Sequence, residues 1–323
     1  MSNIYPAPWS ESPHAIIDPS LAAVPDVQAA LFNNGSNALN RRFELLRDTQ
    51  YRHHVVKSEQ QIVATARDAL VSAPPDQPTR ALILGGGSCN DIPLKYLVAA
   101  FDHTTLVDIS PAAAERAITQ LPEGLLGKVS LVGAEASGIL GTFASSMQEL
   151  ADSHADFHSF ADAAAAHMAS VEANDAPPKL AAPYTFVSSH LVMSQIMGAP
   201  GDILDTGVGA RTYGRILPVQ SEKDTPLPEA LTNLQGQLRQ AHVNYLGRLV
   251  ADTGTVHFAD TLTIIRPTEG HLKRKPLVDG SALQNDIAQN FTEIRPPAHW
   301  VWKANPPFTS YGVTSYALEP RAT

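Results

Sequence analysis

The chain predicts a doubly wound α/β domain on a mostly parallel sheet, and three observations point to it. Strand-like and helix-like runs alternate from residue 79 to residue 136 as ALIL, IPLKYLVAAF, TTLVD, PAAAERAITQL and KVSLVGAEA. The first apolar run stops at three glycines within RALILGGGSCND, residues 80–91. A later one, LVDIS, ends in an acid, Asp108. Alternation of this kind marks crossover units on a parallel sheet, with helices covering both faces. An apolar run ending in glycines reads as a buried strand entering a tight turn, where missing side chains let backbone amides approach a ligand. An acid closing the next strand is placed to accept hydrogen bonds from ribose hydroxyls. Turn and acid together indicate a nucleoside-containing cofactor.

The stretch to about Gln50 is rich in Pro and Asn and runs into a polar, helix-like segment. Val55, Val56, Ile62, Val63, Ala66 and Leu70 recur near helical spacing, which predicts one helix or two short ones before the glycine turn. Pro74, Pro75 and Pro78 then break the chain, so residues 1–75 read as an N-terminal helical cap. Residues 76–267 form the core. Within it, the Ala-rich run SSMQELADSHADFHSFADAAAAHMASVEA is longer than an ordinary crossover and reads as a helical insertion over about 140–182. YTFVSSHLVMSQIM is the next strand and its turn. A Pro- and Gly-rich segment over about 198–228 reads as a loop or lid, since structureless stretches of that length are usually functional. A helix over about 229–249 and the strand TVHFADTLTII follow, and residues 268–323 supply C-terminal strands that complete the sheet.

Composition narrows the function. A chain of 323 residues with 44% hydrophobic content can bury a large core. A net charge of −9, with no basic block longer than HLKRK at residues 271–275, argues against nucleic acid as partner and for small molecules. Cys89 is the only cysteine, which excludes an internal disulfide and a multi-cysteine metal cage. No segment reaches the roughly 18 apolar residues that span a bilayer, and the N-terminus lacks a secretory pattern, so no membrane association and a cytoplasmic location are expected. Oligomeric state is not readable.

A dinucleotide fingerprint would want G-x-G-x-x-G, with the third glycine packing helix on strand. Gly85 and Gly87 fit, but Asn90 stands at the third position, which favours a mononucleoside cofactor with a short charged tail. LILGGGSCNDIPL, TLVDIS, SLVGAEASG and YTFVSSHLVMSQI, in that order, resemble the motif series of class I S-adenosylmethionine-dependent methyltransferases. GGGSCNDIPL with SSHLVMSQI resembles a little-characterised bacterial branch with an Asn-Asp pair after the glycines and a Ser-Gln pair after the fourth strand. The resemblance covers roughly residues 79–267. One departure is Leu84, where the family often has an acid.

The resemblance implies a Rossmann-like, seven-stranded, mostly parallel sheet with S-adenosylmethionine as cofactor. It implies that Gly85, Gly86 and Gly87 bring the turn's backbone against the methionine part, with Asn90 and Asp91 beside it. Asp91 would bridge the cofactor's amino group, and Asp108 and Ile109 would border the ribose. Glu135 and Ala136 would meet adenine, Ser188, Ser189 and His190 would face cofactor and substrate, and Tyr51 would stack on or hydrogen-bond to the cofactor from the cap. Simpler roles stay open beside these. Asp108 suits capping of a helix opened by Ser110 and Pro111, and Asp91 suits a helix N-terminus. Cys89 reads as a small buried side chain, and Ser194 and Gln195 as holding the next helix.

His190 is the candidate catalytic residue, because methyl transfer to a protonated atom needs an aligned nucleophile and a base that titrates near neutrality. His53 and His54, in YRHHVVK, read first as a solvated helix face. His154, His158 and Asp162 fall at i, i+4 and i+8, with ligand types for zinc or iron, but an exposed polar face has the same composition, and no resident metal is expected. Two Asp-Thr-Gly triplets, at residues 205–207 and 252–254, sit in an α/β pattern foreign to aspartic proteases. NPPF at residues 305–308 lies in the terminal strands, away from the cofactor crevice. The expected activity is methyl transfer from S-adenosylmethionine to a small-molecule acceptor whose attacking atom stays open among O, N, C and S. The rivals are an aminopropyl-type transferase, a non-catalytic nucleoside-cofactor-binding protein and an NAD(P)-dependent oxidoreductase.

Overall fold

The structure, a computed structural model, describes residues 15–17, 43–109, 111–154, 156–171, 180–204, 225–268, 271–305 and 309–321. Residues 205–224 of the expected loop or lid over about 198–228, the 172–179 part of the insertion, the first triplet, Ser110 and residues 306–308 lie outside the described residues, while the two ends of that loop run into the helices Met193–Asp202 and Leu227–Leu249. Strands β1 (Ala15–Ile17), β2 (Arg80–Leu84), β3 (His103–Asp108), β4 (Val129–Gly133), β5 (Tyr184–His190), β6 (Val250–Thr268), β7 (His271–Pro276), β8 (Phe291–Asn305) and β9 (Thr309–Pro320) form one mixed sheet. The order across it is β1-β4-β3-β2-β5-β6-β9-β8, with β7 paired to β6 off that path. Neighbours from β1 to β6 run parallel, while β6, β7, β8 and β9 pair antiparallel. The sheet therefore has nine strands and not the expected seven. The additions are β1, a three-residue strand inside the presumed helical cap, and β7, which pairs with the far end of β6. That far end carries polar and proline residues, so β6 runs for 19 residues where its apolar stretch alone predicts eleven.

Period-two alternation sorts the strand residues between two layers. Ala81, Ile83, Leu106, Leu131 and Phe186 face a layer of three helices, α1 (Arg52–Ser72), α2 (Leu94–Ala100) and α3 (Pro111–Thr119). The short α4 (Glu123–Leu126) precedes β4. Leu82, Leu84, Val107, Val187, Val256 and Phe258 face the other layer: α5 (Leu140–Ser153), α6 (Phe157–Ser170), α7 (Met193–Asp202), α8 (Leu227–Leu249) and α9 (Gly280–Asn290). A third apolar group, Phe43, Tyr51, Val55, Trp300, Trp302, Ala304 and Val313, closes α1 over the C-terminal strands.

One expectation fails at the insertion. Helix α5 ends at Ser153, His154 caps it with Nδ1 2.7 Å from the carbonyl of Leu150, and Asp156 starts α6 by accepting the Ser159 amide at 3.0 Å. An Asp with an extended backbone is a strong N-cap, so the run breaks there and His154 does not share the face that His158 and Asp162 hold on α6.

Candidate active site

Strand order reverses at β2: β3 and β4 extend to one side, and the chain then returns to place β5 on the other. Ligands of open α/β sheets bind outside the strand ends at such a point. The turn after β2 and the end of β5 meet there.

Residues 85, 87 and 89 of the turn all have left-handed backbones, with φ of 73°, 47° and 51°. Glycine adopts that region at no steric cost, whereas Cys89 does so as a strained exception. Gly85 also lacks room for a side chain, since a Cβ would stand 2.2 Å from Val192 Cγ2. Asp108, at the end of β3, accepts the amide of Gly87 at 2.7 Å, so turn and acid form one unit. Gly86 lies over Leu106, and the carbonyl of Asn90 accepts from Arg47 Nε at 2.6 Å, which ties the cap to the turn. Ile109, half-buried, follows Asp108. Burial pushes the Cys89 thiol well up, so it is an inert side chain of the turn.

The other expected residues divide. Glu135 is buried and turns its carboxylate onto the loop before α5, accepting the Ser137 amide at 2.5 Å, the Ser137 hydroxyl at 2.7 Å and the Leu140 amide at 3.3 Å. Burial raises its pKa against the pull of those bonds. Ala136 lines a small hollow with Ser137, His242 and Arg248. Tyr51 donates its hydroxyl to the carbonyl of Ala304 at 2.7 Å inside the aromatic group. Ser188 and Ser189 point to opposite faces of β5: Ser188 Oγ meets His257 Nδ1 at 3.1 Å, and Ser189 Oγ meets His242 Nε2 at 2.8 Å. Ser194 donates its amide to Asp260 at 2.8 Å and Gln195 donates to the carbonyl of Leu191 at 2.7 Å, both holding the start of α7.

The centre of the crevice is a cluster that no local motif announces. Asp91 Oδ2 lies 3.0 Å from His54 Nε2 and 2.9 Å from His190 Nε2. Trp300 donates its indole N–H to His54 Nδ1 at 2.9 Å. His54, Asp91 and His190 are 1%, 8% and 2% exposed, so the cluster is closed under α1. Burial alone would raise the Asp91 pKa, but the two imidazoles hold it well below the usual carboxylate range. Burial lowers the pKa of His54 despite Asp91. His54 is thus not on a solvated face. Only His53 is exposed, and the buried stripe Tyr51, His54, Val55, Ser58, Ile62, Thr65, Ala66, Ala69 is the helical signal that assigns His54 inward.

His54, Asp91 and His190 have the donor types of a metal site, with ligand atoms within 4.8 Å of one another. The Trp300 hydrogen bond speaks against that use. A nitrogen that accepts from an indole carries no proton, so the proton of neutral His54 sits on Nε2, the atom a metal would need.

No family model matches this sequence, and no curated protein matches it. Solved structures do. The chain is similar to magnesium protoporphyrin IX methyltransferase from Synechocystis with bound S-adenosylmethionine, at 11% identity and TM-score 0.43, over 92% of this chain and 99% of that one. It is similar to an S-adenosylmethionine-dependent methyltransferase from Clostridium acetobutylicum at 9% identity and TM-score 0.40, over 81% and 91% of the two chains. A third, from Leishmania major and also described as an S-adenosylmethionine-dependent methyltransferase, has 12% identity and TM-score 0.34, over 93% and 80%.

Proposed function

We propose that the protein is an enzyme that transfers a methyl group from S-adenosylmethionine to a small-molecule acceptor. The observation that carries this reading is the unit at the switch point: a left-handed glycine turn whose Gly87 amide is bound by the acid closing the next strand, Asp108. The surroundings fit a nucleoside with a polar tail. Ser88 Oγ in the turn and His190 Nδ1, on the ring edge away from Asp91, are buried without a hydrogen-bond partner among the described residues, which leaves both open to a bound group.

In this reading Gly85, Gly86 and Gly87 let the backbone approach the methionine part, and Asp108 and Ile109 border the ribose. Glu135 and Ala136 border adenine. S-adenosylmethionine supplies a methyl carbon already activated by its sulfonium, so the protein contributes orientation, exclusion of water and removal of a proton. Asp91 serves His190, and His190 takes the acceptor's proton.

Mass spectrometry of ligands released from the purified protein tests this. S-adenosyl compounds are expected from the wild type and absent from Asp108→Ala. Release of NAD(P)H instead would overturn the reading, and methylthioadenosine as product in place of S-adenosylhomocysteine would assign aminopropyl transfer.

A further inference from the structure

We propose that Asp91, with His54 and Trp300 as the residues that position it, makes His190 Nδ1 the proton-accepting nitrogen of the crevice, and that the acceptor attacks through a hydroxyl or amine. The inference rests on the methyl-transfer reading and deepens it. Trp300 Nε1 has only a proton to offer, so His54 Nδ1 is the acceptor at 2.9 Å and His54 carries its proton on Nε2. That proton is donated to Asp91 Oδ2 at 3.0 Å. The same oxygen faces His190 Nε2 at 2.9 Å, and a carboxylate can only accept, so His190 also donates from Nε2. In the neutral ring the lone pair of His190 is thereby placed on Nδ1, the atom that is buried without a partner among the described residues.

Other groups around the pair do not compete. His257 stacks on His190 at 5.7 Å between ring centres, with its own nitrogens 3.1 Å from Ser188 Oγ and 3.1 Å from Ser315 Oγ. Asp260, the other acid near His190, accepts the amides of Ser194 and Thr261 at 2.8 and 2.6 Å. In the transfer, the acceptor's O–H or N–H proton passes to His190 Nδ1 and the heteroatom's electron pair forms the bond to the methyl carbon. The pair of the breaking carbon–sulfur bond stays on sulfur, and the positive charge moves from sulfonium to an imidazolium beside Asp91. His54 belongs to α1, so the base is completed only with the cap seated.

Long-range proton–nitrogen correlation spectra of nitrogen-15-labelled full-length protein at neutral pH report the tautomer of each ring. In the wild type His54 and His190 are expected as single Nε2–H tautomers. In Asp91→Asn, His190 is expected to become a mixture of tautomers while Trp300 keeps His54 as Nε2–H, and in the double variant Asp91→Asn, Trp300→Phe His54 is expected to become a mixture as well. A proton on Nδ1 of either ring in the wild type, which needs no variant to fold, would overturn the proposal. So would unchanged tautomers in both variants with native circular dichroism. A parallel titration with S-adenosylmethionine separates the two claims: the tautomers without binding would fail the methyl-transfer reading alone, and binding without the tautomers would fail this one.

Discussion

At Gly85 a single methyl group would collide with Val192 Cγ2 at 2.2 Å, on a backbone that L side chains avoid. Gly85→Ala is expected to cost about 2–4 kcal/mol, from left-handed strain and overpacking together, read as a lower urea midpoint. Asp108→Ala removes hydrogen bonds to a charged group, worth about 1.5–3 kcal/mol, so S-adenosylmethionine affinity is expected to fall about 10- to 100-fold. His242 gives a pH effect of fixed sign. Burial lowers its pKa from 6.5 to about 4, so between these values the unfolded chain binds a proton that the folded one refuses. Its contribution to stability is full above about pH 6.5 and is lost as pH falls towards about 4, by on the order of 3 kcal/mol at most. His54 and His257, lowered by the same cause, act in the same direction. Urea unfolding at neutral and mildly acidic pH checks this, and rising stability on acidification would contradict it.

Among the elements, α1 matters most to the site because it carries His54. It is held to the sheet by Arg295 of β8, whose guanidinium reaches Asp68 Oδ2 at 2.5 Å and Thr65 Oγ1 at 2.7 Å, and by Thr255 Oγ1 donating to the Thr65 carbonyl at 3.1 Å. The Arg295–Asp68 pair is about one-third exposed on each side, so solvent screening limits it to roughly 1 kcal/mol. Arg295→Leu is expected to raise amide exchange along α1 about fivefold while β2 and β3 exchange as before. Helix α1 and the apolar strands were legible in the sequence because their periodicities are local. The break between α5 and α6 was less so: composition stays helical through DSHADFHS, and only the capping choice of Asp156 divides it.

For the whole molecule, the legible part is the crossover alternation with its glycine turn and Asp108, all within 29 residues from Arg80 to Asp108. The site's centre is not local. His54 and His190 stand 37 and 99 residues from Asp91, and Trp300 stands 246 residues from His54, so only the fold brings them together. Strand order does this work, since β5 must return beside β2 and α1 must pack against β5 and β6 before two imidazoles can share one carboxylate oxygen. The edge strands β1 and β7 were missed for the same reason: three residues in a Pro-rich segment and a basic hairpin arm become strands only through their partners β4 and β6. The central claim is a nucleoside cofactor held at the switch point, and calorimetric titration of the folded protein tests it most directly. S-adenosylmethionine is expected to bind once per chain, with Asp108→Ala at least tenfold weaker. Saturable binding of NADPH with no heat from S-adenosylmethionine would contradict the claim.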